Sequence, residues 1–315
     1  QGYTINYSFS DIEGYGVFAN GTNSTTIKNC RIIEGNNTVS DKLGIYVIAA
    51  RNATIFNNTI TTRAQASGGI RLTAYTTTLN NTISFNIINT SGVNAHGIVL
   101  TSLSTSRIIE TRIENNTIFG YGFGVMGISF AGTSTSSISV NNNTIALYGP
   151  SSEGINIGTT NDNSTLSNNT ITITGGNAAE GIIITTSQNF SVHGNFINIT
   201  TGALGNSDGI ALVTSSSMYV FDNKIFIGSN SRGVTFSGTS DSILFRTNIT
   251  TFEDGSDGIY FENANNNITI DRVFVNIINN TPHAIRIADT GSNFTISNSI
   301  LNTSRAASLF IAGAV

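Results

Sequence analysis

Apolar and polar residues alternate with period two through most of the chain, and many of the apolar ones are β-branched. Such alternation predicts short strands with one buried face. The strands recur in a fixed order. A first strand opens on Gly and an apolar residue, as in Gly154-Ile155-Asn156. A polar loop, Gly158-Thr159-Thr160-Asn161-Asp162-Asn163, leads to a second strand, Ser164-Thr165-Leu166. A tight turn, Asn168-Asn169, leads to a third, Thr170-Ile171-Thr172-Ile173. The loop Gly175-Gly176-Asn177 then returns the chain to Glu180 and Gly181, and the pattern starts again.

The opening recurs at Gly16, Gly44, Gly69, Gly97, Gly127, Gly154, Gly181, Gly209, Gly233, Gly258, Ala284 and Phe310, in steps of 24 to 30 residues. A period in this range marks a solenoid. Three short strands per repeat, with no helical stretch between them, predict an all-β, right-handed parallel β-helix (β-solenoid) of about eleven coils. The hand follows from the usual sense of parallel crossovers. Residues 1–315 are expected to form a single β-solenoid.

Two further columns follow from this alignment. The turn before the third strand gives Cys30, Asn58, Asn86, Asn116, Asn143, Asn169, Asn195, Asn223, Thr247, Val273 and Asn298. Asn accepts the left-handed backbone that a corner needs, and stacked amides can bond along the axis, so Asn58 to Asn223 are expected to form a structural ladder. Two residues on, a column running from Ile32 and Ile60 to Val275 and Ile300 is almost wholly apolar and should face inward. Phe130, Phe236 and Phe261, three residues after their glycines, should fill the facing wall.

The ends match half-coils. Tyr3-Thr4-Ile5 enters on a late strand, and Leu309-Phe310-Ile311 leaves on a first strand. Head-to-tail stacking of copies is therefore expected, with Tyr3, Ile5, Leu309, Phe310 and Ile311 at the joint. Residues 310–315 of one copy and 1–16 of the next would make a composite coil.

Composition narrows the picture. Charged residues make up 10% of the chain, against about 25% in a typical soluble protein. No apolar run approaches the ~18 residues of a membrane span. The net charge is −4 and no basic stripe is present, which argues against a nucleic-acid partner. Only Pro150 and Pro282 interrupt the supply of backbone donors. Cys30 is the sole cysteine, so a disulfide could only join two molecules. Gln1, followed at once by a strand, looks like a processed N-terminus, which suits an extracellular, cell-surface protein. Asn-x-Ser/Thr sequons are frequent, Asn36 and Asn279 among them. Those in the loops between first and second strands (Asn20, Asn23, Asn52, Asn163 and Asn189) are the better glycan candidates.

The residue before each glycine makes a column that carries candidate chemistry: Tyr15, Leu43, Gly68, His96, Met126, Glu153, Glu180, Asp208, Arg232, Asp257, His283 and Leu309. Glu153, Glu180 and Asp208 should stand one strand spacing apart. They are candidates for a divalent-cation strip or an acid/base pair for glycan cleavage. Charge compensation by Arg232 is the plainer expectation, with no cofactor and no enzyme activity.

Asn-Asn-Thr-Ile at 57–60, 115–118, 142–145 and 168–171, with the Gly-Ile openings, resembles right-handed parallel β-helix proteins of the NosD-like and pectate-lyase-like superfamily. It looks most like the Asn/Thr-rich members on surfaces of methanogenic archaea. That resemblance implies a structural subunit, self-assembled into a filament, tube or sheath. The alternatives are a polysaccharide-binding or -cleaving β-helix and an adhesin or tailspike shaft. Asn206-Ser207-Asp208-Gly209-Ile210 and Gly255-Ser256-Asp257-Gly258-Ile259 also resemble the Asn-Thr-Asp-Gly-Ile motif of polygalacturonases, whose Asp is catalytic. The Asp-Asp, Gly-His-Gly and Arg-x-Lys motifs of that family have no counterpart here.

Overall fold

The computed structural model describes residues 2–7, 14–35, 40–103, 106–132, 134–158, 161–175, 178–200, 207–228, 230–252, 255–278, 283–288, 291–304 and 307–312. Asn36, Asn206, Asn279, Pro282 and residues 1, 8–13 and 313–315 of the expected composite coil lie outside these residues.

Three parallel sheets run along one axis. First strands form a glycine sheet of 12 strands, second strands a bent sheet of 15, and third strands an isoleucine sheet of 12. The glycine sheet runs from Tyr15–Asn20 to Leu309–Ile311, and the isoleucine sheet from Tyr3–Tyr7 to Ile300–Thr303. Eleven coils lie between, roughly 53 Å of solenoid at ~4.8 Å per coil. The period-two pattern decides which face is buried. Ile60, Ile88, Ile118, Ile145, Ile171 and Ile197 are all fully inside. Phe130, Phe236 and Phe261 face them, and the last two rings stack 5.0 Å apart.

The glycine column is explained by close approach. A Cβ on Gly209 would lie 2.5 Å from the Gly233 carbonyl oxygen and 2.5 Å from Ile225 Cγ2. The isoleucine of the third strand occupies the space a side chain would take. The glycine column and the isoleucine column are two sides of one contact.

The asparagine ladder runs inside the corner between the bent and isoleucine sheets. Asn143 shows its wiring. Its Oδ1 accepts from the backbone N–H and the side-chain amide of Asn116, both at 3.0 Å. Its Nδ2 donates to Ile113 O at 2.9 Å and to Asn169 Oδ1 at 3.0 Å. Asn58, Asn86, Asn116, Asn169 and Asn195 repeat this pattern. Asn223 ends the series, donating to Val192 O and Phe221 O. At the other end the Cys30 backbone N–H bonds to Asn58 Oδ1, and its half-buried thiol donates to Lys28 O at 3.3 Å.

Two sequence expectations need correction. The left-handed backbone falls on the residue before the ladder: Asn57, Asn115, Asn142 and Asn168 have φ of 52°, 56°, 54° and 54°. The ladder asparagines are there for their amides, and their neighbours for their backbone. The last coil is also out of register with the sequence alignment. Leu309 pairs with Ile285, so Ser308, not Phe310, stands in the glycine column, and Ala307, not Leu309, precedes it. Leu301 pairs with Val275, and Ser299, whose Oγ accepts from the Val273 N–H, replaces Asn298 at the ladder position. Ser-Leu-Phe-Ile offers two apolar pairs, and the pattern alone selects the later one.

Candidate functional site

The outer face of the glycine sheet gathers charge in a chain that has little of it. Parallel register places Met126, Glu153, Glu180, Asp208, Arg232 and Asp257 side by side on successive strands. Burial, with Glu153 and Asp208 on either side, holds the Glu180 proton up to about 8. Burial also raises Glu153, against an opposing hydrogen bond from the Asn156 amide. Asp208 is raised to about 6 by burial, although Arg232 and the Thr235 hydroxyl favour its charged form. That hydroxyl donates to Asp208 Oδ1 at 2.9 Å.

Farther along, the face is cationic and aromatic. The Arg232 guanidinium sits 4.0 Å from the Tyr260 ring centre and 3.9 Å from Glu262. Arg286 approaches the same ring at 5.4 Å and Asp257 at 3.6 Å. Asp257 also accepts from the His283 backbone N–H at 3.0 Å, with the His283 ring 3.3 Å away. Thr235, Tyr260, Glu262 and Arg286 were missed by the sequence reading. Their signal was present, since they stand three or five residues past the same column and share its register.

Among the described residues, no three His, Cys, Asp or Glu side chains are placed to hold a metal ion. The carboxyls of Glu153, Glu180 and Asp208 stand in file on successive strands. What remains is proton chemistry: at neutral pH Glu180 keeps a proton that an exposed carboxyl would have lost. Asp208 is nearly closed to solvent.

The other sequence candidates lie elsewhere. Asn20, Asn23, Asn52, Asn163 and Asn189 are all exposed. Asn52, Asn163 and Asn189 have positive φ, and so also serve as turn formers. Tyr3 is exposed and Ile5 half-buried on one edge strand, while Leu309, Phe310 and Ile311 are exposed on another. No described helix is long and apolar enough to cross a membrane.

A family model described as the right handed beta helix region matches residues 4–197. No curated protein matches the chain in sequence. Among solved structures, a chain of the Vag8–C1 inhibitor complex determined by cryo-EM is similar at 14% identity and a TM-score of 0.66, over 99% of this chain and 79% of that one. The A-module of the Azotobacter vinelandii mannuronan C-5 epimerase AlgE4 is similar at 10% identity and a TM-score of 0.50, over 93% and 91%. At such identities the likeness is one of fold. The family model covers more than half of the sequence, and the chain belongs to the right-handed β-helix family.

Proposed function

We propose that this chain is an extracellular structural protein whose copies stack along the solenoid axis into a filament, tube or sheath at the cell surface. The observation that carries the reading is the sameness of the coil-to-coil contact. Each coil offers the next the same backbone edge, inward isoleucine and, for much of the length, asparagine amide that it receives from the one before. A second copy on the axis would need no new kind of contact, and a head-to-tail interface propagates unless its rotation closes. Tyr3, Ile5, Leu309, Phe310 and Ile311 lie at the joint. The exposed sequons would carry glycans on the flanks, and Cys30 is a candidate crosslink between copies. Electron microscopy of the purified chain tests the assembly. Axial polymers that are lost on deleting residues 309–315 support it, and dispersed particles oppose it.

A second reading is favoured by the Glu180–Asp208 pair. Adjacent carboxyls with separated proton affinities suit glycan cleavage, and their ~4.8 Å strand spacing lies near the ~5–5.5 Å of retaining glycosidases. Burial of Asp208 weighs against it. Depolymerisation of a glycan that is lost in Glu180→Gln would establish this reading in place of the structural one.

A further inference from the structure

On the outer face of the glycine sheet Arg71 and His96 come before the strand Met126–Gly132 and the carboxyls of Glu153 and Glu180 come after it, with Arg232 and Arg286 beyond them. In its early coils Arg71 has no ion pair among the described residues, and its Nε is buried without a hydrogen-bond partner. On the next strand His96 accepts the Met126 backbone N–H at Nδ1. Desolvation and the charge of Arg71 hold its pKa down to about 4, so the ring is neutral and Nε2 carries the hydrogen. The aromatic rings of Tyr15, Phe18 and Tyr46 cluster beyond them at 5.1–5.6 Å. In its middle coils, just past Met126–Gly132, the same face has Glu153 and Glu180. Neither makes an ion pair among the described residues, and no cation offsets the burial of either.

These two halves are arranged symmetrically. The strands in order are Tyr15–Asn20, Leu43–Ile48, Gly68–Ala74, His96–Ser102, Met126–Gly132, Glu153–Ile157, Glu180–Thr185, Asp208–Val213 and Arg232–Ser237. His96 lies one strand before Met126–Gly132 and Glu153 one strand after. Arg71 lies two before and Glu180 two after. Tyr15 lies four before and Arg232 four after.

We propose that this face docks on the same face of a second copy, turned end for end about a two-fold axis through the strand Met126–Gly132. A two-fold interface requires residue i to meet j and j to meet i, and the order of strands supplies that. His96 meets Glu153, and Arg71 reaches Glu180 where the facing Gly68 leaves room. Tyr15 meets Arg232, ring to guanidinium, and Met126 packs on its own copy. Each contact occurs twice, apart from the single Met126 pair on the axis. Nine coils at ~4.8 Å and strands about 17 Å long give the face a footprint of about 700 Å² on each copy; Val99, Ser129, Ala211 and Thr235 within it are already buried, so the half-buried His96, Glu153, Glu180 and Arg71 and the aromatic rings supply the contact. The contact is lateral and does not rest on axial stacking.

Sedimentation velocity on the 315-residue chain tests this docking. The expected species has twice the 33.2 kDa mass of one chain, and it weakens as salt is raised. Arg71→Glu and Glu180→Arg should each raise the dimer Kd by at least ~30-fold, and combining them should recover most of that loss. Arg31→Glu, on the isoleucine sheet, should change nothing. Circular dichroism checks that each variant is folded, and Glu153→Gln and Arg71→Ala carry the test if a charge reversal is not. A wild type that stays monomeric overturns the proposal. So does a dimer indifferent to Arg71→Glu, or a population of axial polymers only, unchanged by that substitution.

Discussion

Two adjacent residues, Asn142 and Asn143, separate the forces that shape each coil. Asn143 is 1% exposed. Replacing it by Ala removes the acceptor of the Asn116 backbone N–H and the side-chain donor to Ile113 O. Each polar group orphaned in a dry interior costs about 1–3 kcal/mol. The sum is about 2–6 kcal/mol, before any term for the small cavity. Asn142 is exposed, with φ of 54°. Asn142→Ala gives up only its tolerance of the left-handed region, about 1 kcal/mol, and Asn142→Gly should cost almost nothing. Because a solenoid can unravel coil by coil, the assay is native-state hydrogen exchange read at the Asn116 amide, with denaturant unfolding beside it. Asn143→Ala should lower protection there by at least tenfold. Unchanged protection, or an Asn142→Ala that costs as much as Asn143→Ala, refutes the division of roles.

Other outcomes follow from the same structure. Gly209→Ala should destabilise by about 3 kcal/mol or more, because its Cβ meets backbone on one side and Ile225 on the other; an unshifted Tm counts against the close-approach account. Glu180 binds its proton more tightly folded than unfolded, with its pKa raised from 4.5 to about 8. Its contribution is therefore fully present below about pH 4.5 and is lost as pH rises through 8. Denaturant unfolding at about pH 5 and about pH 9 should show that decline, and Glu180→Gln should flatten it. Glu34 and Lys42 are both fully buried, and the Lys42 charge offsets part of the burial that raises the Glu34 pKa. Lys42→Met should lower the Tm, because it removes one of the groups that, with the Arg63 and Ala64 backbone N–H groups, favour the charged form of Glu34. If the exposed sequons carry glycans in the native material, its intact mass should exceed that of the bare sequence.

The fold was legible because one contact repeats. Gly, Ile and Asn recur at fixed offsets, and period-two alternation says which side each faces. What the pattern could not give was the reason for each column. Gly209 reads as a strand start, but its cause is Ile225, 16 residues later on another sheet. Asn142 and Asn143 look interchangeable in sequence, and only backbone geometry tells the turn former from the amide that bridges coils. The last coil misled the reading because Leu309, Phe310 and Ile311 are all apolar, so alternation does not fix the register there. The Glu153, Glu180 and Asp208 column was also visible. The Tyr260 ring between Arg232 and Arg286 needed the register of neighbouring strands.

The central claim is that copies continue one another's sheets along the axis. Cryo-EM of the assembled protein measures this directly, as the spacing and register of strands across each boundary between copies. The account requires an unbroken ~4.8 Å strand repeat through that boundary, with Tyr3 and Phe310 inside it. Polymers joined only by lateral faces, or a solution of separate particles, would contradict it.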